Sequence, residues 1–77
     1  MNKVRMKALK KIGEEMVSLL DNLQEDLDEE QEAYDNLPEN FQIDERGSAM
    51  QEGINNMQDA VDNLEEAMDN LNELIWY

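Results

Sequence analysis

Cysteine and histidine are both missing from these 77 residues. Without cysteine, neither a disulfide nor a thiolate metal site can staple a small fold, an absence that fits a reducing compartment. Without histidine as well, the commonest general base, the most reactive nucleophile and the usual transition-metal ligands are gone. The three glycines are scattered, so no glycine-rich loop exists to cradle a phosphate. Ser18 and Ser48 are the only hydroxyls besides tyrosine, and they read as a helix-surface residue and a helix cap. Asp26, Asp28 and Glu30 lack the turn glycine and the distal bidentate glutamate of a calcium loop. Di-iron bundles pair glutamate with histidine, which this chain cannot do. The expectation is therefore no enzyme, no cofactor and no specific metal site; weak, nonspecific divalent-cation binding to the acidic face stays open.

Long apolar runs are also lacking. Nothing approaches the roughly 20 residues that span a bilayer, and the basic stretch Met1 to Lys11 runs straight into Gly13-Glu14-Glu15 instead of an apolar segment. An anionic membrane surface would repel most of the chain. A soluble, cytoplasmic protein is expected.

What the chain does have is segregated charge. All twenty carboxylates lie between Glu14 and Glu73, while Lys3, Arg5, Lys7, Lys10 and Lys11 are five of the six cations. Only Arg46 interrupts the acid, so the first thirteen residues carry +5 and the rest −19. An apolar fraction of 40% at regular spacing nevertheless separates it from a disordered acidic tail.

That spacing predicts two helices. Leu9, Ile12, Met16, Leu20, Leu23, Leu27 and Tyr34, with Gln31 filling the gap, trace one stripe of a helix over about 3–36. Val17 and Leu19 broaden the stripe, and Gly13 weakens the helix by up to about 1 kcal/mol relative to alanine. Pro38 then breaks the pattern and sets a hinge over 37–47. Within it Glu39 to Gln42 fit one helical turn, and Phe41 and Ile43 are expected to fold back over the end of the core. Ser48 with Gln51 reads as a capping box opening a second helix over about 48–76. Its three heptads begin at Ile54, Val61 and Met68, with Met57, Leu64 and Leu71 at the second seam position. Ala60 and Ala67 beside this seam either admit a close neighbour or simply favour helix.

The fold class expected is all-α: an antiparallel, coiled-coil-like two-helix hairpin forming a single domain over 1–77. Antiparallel pairing would place Asp69, Glu73 and the terminal carboxylate beside Lys3 to Lys11, with the cations paired within the chain. One seam buries little at this size, so a homodimer forming a four-helix bundle is expected. Trp76 and Tyr77 would pack on the first helix or the dimer mate, or else stand exposed as a partner anchor.

A binding role remains. One reading is an acidic rod whose carboxylates imitate nucleic-acid phosphates and occupy the cleft of a basic protein. The acids expected to carry it are Glu25, Asp28, Glu29 and Glu32 on the first helix, and Asp59, Asp62, Glu65, Glu66, Asp69 and Glu73 on the second. Another is a coiled-coil adaptor without mimicry. A third, direct nucleic-acid binding through Lys3 to Lys11, lacks interleaved aromatics and is not expected. Acid that only keeps the chain soluble is the plain alternative to all three.

The hinge run Tyr34-Asp-Asn-Leu-Pro-Glu-Asn-Phe-Gln42, followed by Glu45-Arg46-Gly47 and by Ala60-Val-Asp-Asn-Leu-Glu-Glu-Ala67, covers about half the chain. It resembles short, acidic helical proteins of phages and mobile elements of Gram-positive bacteria. The resemblance transfers no catalytic motif. It implies a setting in which small acidic proteins inhibit host defence or nucleic-acid machinery, anti-CRISPR proteins among them, and so favours the decoy reading over the adaptor.

Overall fold

A computed structural model describes residues 2–75. Among them the architecture is all-α without strands: α1 (Lys3–Asp35), the short α2 (Glu39–Gln42) and α3 (Glu45–Ile75). At 1.5 Å per residue the long helices each run about 45–50 Å. They lie side by side in a rod of 58 × 15 × 13 Å. Lys10, Gly13, Glu14 and Val17 from the first half of α1 share a groove with Met68 and Asn72 near the end of α3, so the two helices are antiparallel.

Caps fix the boundaries. Asn2 accepts the backbone N–H of Arg5 at 2.8 Å and starts α1. Asn36 and Leu37 donate their N–H groups to the carbonyls of Glu32 and Tyr34 and end it. Pro38, at φ −56°, cannot continue α1 but suits the entry to α2, where its carbonyl accepts from Phe41 and Gln42. The Gln42 side-chain amide turns back to donate to the Tyr34 and Leu37 carbonyls, at 3.2 and 3.0 Å. A single side chain thus ties the end of α1 and the residue before Pro38 to α2.

Four expectations need correction here. The cap of the second helix is Asp44, not Ser48: its Oδ1 accepts from the N–H groups of Arg46 and Gly47, at 2.9 and 3.2 Å. The helix starts three residues earlier because a carboxylate at the N-cap also meets the positive end of the helix dipole. Ser48 is an exposed residue of the first turns. Ile43 does not fold over the core: it is 85% exposed, and Phe41 lies at the surface with the Arg46 guanidinium 5.5 Å from its ring centre. Leu37, Gln42 and the buried Gly47 close that end instead.

The third correction concerns the stripe on α1. Its half-buried residues are Met6, Leu9, Gly13, Met16, Leu20, Leu23, Leu27, Glu30 and Tyr34, alternating in steps of three and four, with Gln31 beside Glu30 filling the gap as expected. Ile12 is 45% exposed, because the strict seven-residue period needed to match α3 puts Gly13 on the seam and Ile12 beside it. On α3 the seam runs Gly47, Met50, Ile54, Met57, Val61, Leu64, Met68 and Leu71. Among the described residues the only buried apolar side chains are Ile54 and Val61, and α1 contributes none. The hairpin therefore sequesters one narrow line of side chains.

The fourth concerns the cations. Lys3, Arg5, Lys7, Lys10 and Lys11 are all exposed, and no lysine or arginine side chain donates a hydrogen bond among the described residues. Lys10 shares its groove with Met68 and Asn72, not with an acid of α3. The basic segment is attracted to the acidic body through solvent and remains free to meet other charges. The expectations placed on Trp76 and Tyr77 lie outside the described residues.

Gly13 yields a direct test. A methyl group there would meet nothing within 4 Å, so Gly13→Ala removes backbone entropy without a clash. Thermal unfolding followed by circular dichroism should show a gain of about 0.5–1 kcal/mol. A lowered midpoint would mean that the helices close on Gly13 more tightly than this groove allows.

Candidate acidic interface

Writing the repeat as abcdefg with a and d on the seam, positions e and g flank it and f points directly away. The f positions of α3 are Glu45, Glu52, Asp59, Glu66 and Glu73, an acid at every repeat, roughly 10.5 Å apart along the helix. On α1 the acids at f are Glu25 and Glu32. The shared groove sets Lys10 and Val17, at e on α1, against Asn72, at e on α3. The e flanks of the two helices therefore lie on one broad side of the rod, and the g flanks on the other.

This register distributes the ten expected acids, all of which are exposed. Asp28, Asp62, Glu65 and Asp69 occupy the b and e positions of the same broad side. Asp59, Glu66 and Glu73 line one outer edge, and Glu25 and Glu32 the opposite edge. Glu29 stands apart, at a c position on the far side. Glu45 and Glu52 extend the α3 edge toward the hinge and were missed in the sequence, although the seven-residue period that locates Asp59 also locates them. Placing the helix start at Ser48 hid Glu45.

Glutamines organise the acidic side. Gln31 donates to Asp35 at 3.0 Å, Gln51 to Asn55 at 3.2 Å and Gln58 to Asp62 at 3.1 Å. Each pair runs from an e position to the b position one turn later. No cation stands four residues from Asp35 or Asp62, and amide bonds take the place of ion pairs there at about 0.2–0.5 kcal/mol each. They also hold the Asp35 and Asp62 carboxylates in place without neutralising them.

Among the described residues no group of three or more acids converges as a metal site would require. None of the described helices is long and apolar enough to cross a membrane. The arrangement suits recognition of something extended and positively charged. Compared with protein-family models, curated proteins and solved structures, the chain matches none.

Proposed function

We propose that this chain is a non-catalytic binding protein that works as a pair of hairpins and occupies the nucleic-acid-binding cleft of a basic protein. The observation that carries the reading is the broad side holding Asp28, Asp62, Glu65 and Asp69, all exposed and bordered by the acid edge of α3. Twenty carboxylates along a 58 Å rod average one per about 3 Å, against one phosphate charge per about 1.7 Å of duplex. Two rods side by side bring the two densities together, which is why pairing into a four-helix bundle belongs to the proposal. The resemblance to phage and mobile-element proteins supplies the setting: the cytoplasm of a bacterial host, with a defence or nucleic-acid enzyme, CRISPR machinery included, as the target. Direct binding of nucleic acid by the chain is not part of this reading.

Binding to a panel of basic nucleic-acid-binding proteins should weaken steeply between about 50 and 300 mM salt. The fourfold variant Asp28→Lys, Asp62→Lys, Glu65→Lys and Asp69→Lys should lose at least about 100-fold in affinity with its helical signal unchanged. Undiminished binding by that variant would sink the proposal. Salt-insensitive binding would favour the second reading, a coiled-coil adaptor, which draws on the exposed apolar side chains Ile12, Leu19 and Leu74.

A further inference from the structure

Sulfur in this chain is confined to methionine, because cysteine is absent. Five of the six methionines stand on the seam: Met6 and Met16 on α1, and Met50, Met57 and Met68 on α3. Flexible thioethers fill irregular gaps well, and packing alone accounts for their presence there. Their exposure is a separate matter. Every one of the five is half-buried, so each thioether lies on the seam and within reach of solvent.

Two places on the seam matter most. The groove shared by Lys10, Gly13, Glu14, Val17, Met68 and Asn72 opens the Met68 side chain to water. Its register sets Met16 level with Met68, so one layer of the seam is built from two thioethers. In the layer beside it Gly13 contributes no side chain. A small polar oxidant therefore has an entry point where the packing is thinnest. Met57, in turn, lies on the seam between Ile54 and Val61, the two buried apolar side chains. Neither carries a hydrogen-bond donor on its side chain, and Leu27, level with Met57 in the same register, carries none either.

We propose that the seam is a redox-sensitive closure: oxidation of its methionines by hydrogen peroxide opens the hairpin, and reduction closes it. In the forward step the thioether sulfur attacks the peroxide, an S–O bond forms as the O–O bond breaks, and water leaves. Sulfur gives up two electrons and the peroxide takes them. The product is a polar sulfoxide, and holding it on an apolar line costs free energy unless a donor meets it. A hairpin whose buried apolar side chains are Ile54 and Val61 has little to set against several such groups. In the reverse step a methionine sulfoxide reductase uses two thiols, which become a disulfide as the oxygen leaves as water.

Opening the seam also dismantles the acidic interface, because Asp28 shares a side with Asp62, Glu65 and Asp69 only while the helices are paired. The closure itself rests on the seam alone. Only its consequence for binding rests on the acidic reading.

The test is thermal circular dichroism on the whole chain before and after hydrogen peroxide, with oxygen uptake located by peptide mass mapping. Oxidation of the seam methionines should lower the unfolding midpoint by at least about 10 °C. Methionine sulfoxide reductases A and B with dithiothreitol should restore it. The variant carrying Met6→Leu, Met16→Leu, Met50→Leu, Met57→Leu and Met68→Leu nearly conserves side-chain volume and should fold. It keeps Met1, and peroxide should leave its midpoint within about 2 °C of the untreated value. An unchanged wild-type midpoint with oxygen on those sulfurs overturns the proposal, as does an equal fall in the leucine variant. Seam methionines that resist peroxide able to convert free methionine overturn it too. Should the leucine variant fail to melt cooperatively, the reductases decide: a wild-type midpoint that stays low after the sulfurs are reduced means damage and not closure. None of these readouts needs a partner, so a chain that switches but binds no basic protein would contradict the acidic reading and leave the closure standing.

Discussion

Gly47→Ala is expected to lower stability by about 3 kcal/mol, a drop in the unfolding midpoint of about 15 °C for a chain of this size. Gly47 is the only described residue of its region that is fully buried. An added methyl would overlap the carbonyl groups of Gln42 and Phe41. These are backbone atoms, so no side-chain rotation relieves the clash. The chain must either pull α2 away from α3 or break the first turn that Asp44 caps through Arg46 and Gly47. Either way the Gln42 amide loses its geometry on the Tyr34 and Leu37 carbonyls. Gly53→Ala is the matched control, because a methyl there meets nothing within 4 Å; it should leave the midpoint unchanged or raise it. Equal midpoints for the two variants, measured by thermal circular dichroism, would contradict the close approach of the hinge.

Val61→Asp is expected to abolish the cooperative fold at 25 °C. Val61 is 2% exposed and sits at the middle of the seam, with Ile54, at 5%, one heptad away. A carboxylate placed there has no cation on the seam of α1 to pair with, and an unpaired buried charge costs several kcal/mol. A domain of this size rarely holds more than about 3–5 kcal/mol in total. Val61→Thr keeps the shape and should cost only about 1–2 kcal/mol. A cooperative melt surviving in the aspartate variant would mean that the seam is wetter than this packing implies.

Much of the fold was legible because its strongest signal is periodic. The heptads from Ile54 to Leu74 repeat three times, and a sustained 3.5-residue period marks a helix that packs along one seam. Pro38 announced the hinge, and Glu39 to Gln42 formed the short turn expected of them. The misreadings arose where two local rules competed. Ser48 and Gln51 fit a capping pattern, yet Asp44 offers a charged cap and the tight approach of Gly47 fixes the start of α3 there. Leu9 is compatible with a next step to Ile12 or to Gly13, and only the partner helix decides between them. Residue apolarity favoured Ile12, whereas register favours Gly13.

The acidic interface was legible as a composition and only partly as a geometry. All ten candidate acids are exposed, but a sequence read one helix at a time does not reveal that Asp28 shares a side with Asp62, Glu65 and Asp69 while Glu29 does not. That sorting depends on which flank of α1 meets which flank of α3. The pairing of the cations was misjudged for a related reason: antiparallel helices bring opposite charges to the same end of the rod, but the residue sharing the groove with Lys10 is Asn72. Proximity of charge along a sequence does not establish an ion pair.

The central claim is that the acidic side takes the place of nucleic acid. Its most direct measurement is displacement: a labelled duplex bound to a basic nucleic-acid-binding protein, titrated with this chain and followed by fluorescence anisotropy. The account predicts that the wild type releases the duplex at a concentration that rises with salt, and that the fourfold lysine variant does not. Binding of the wild type to the protein with the duplex still in place would contradict it.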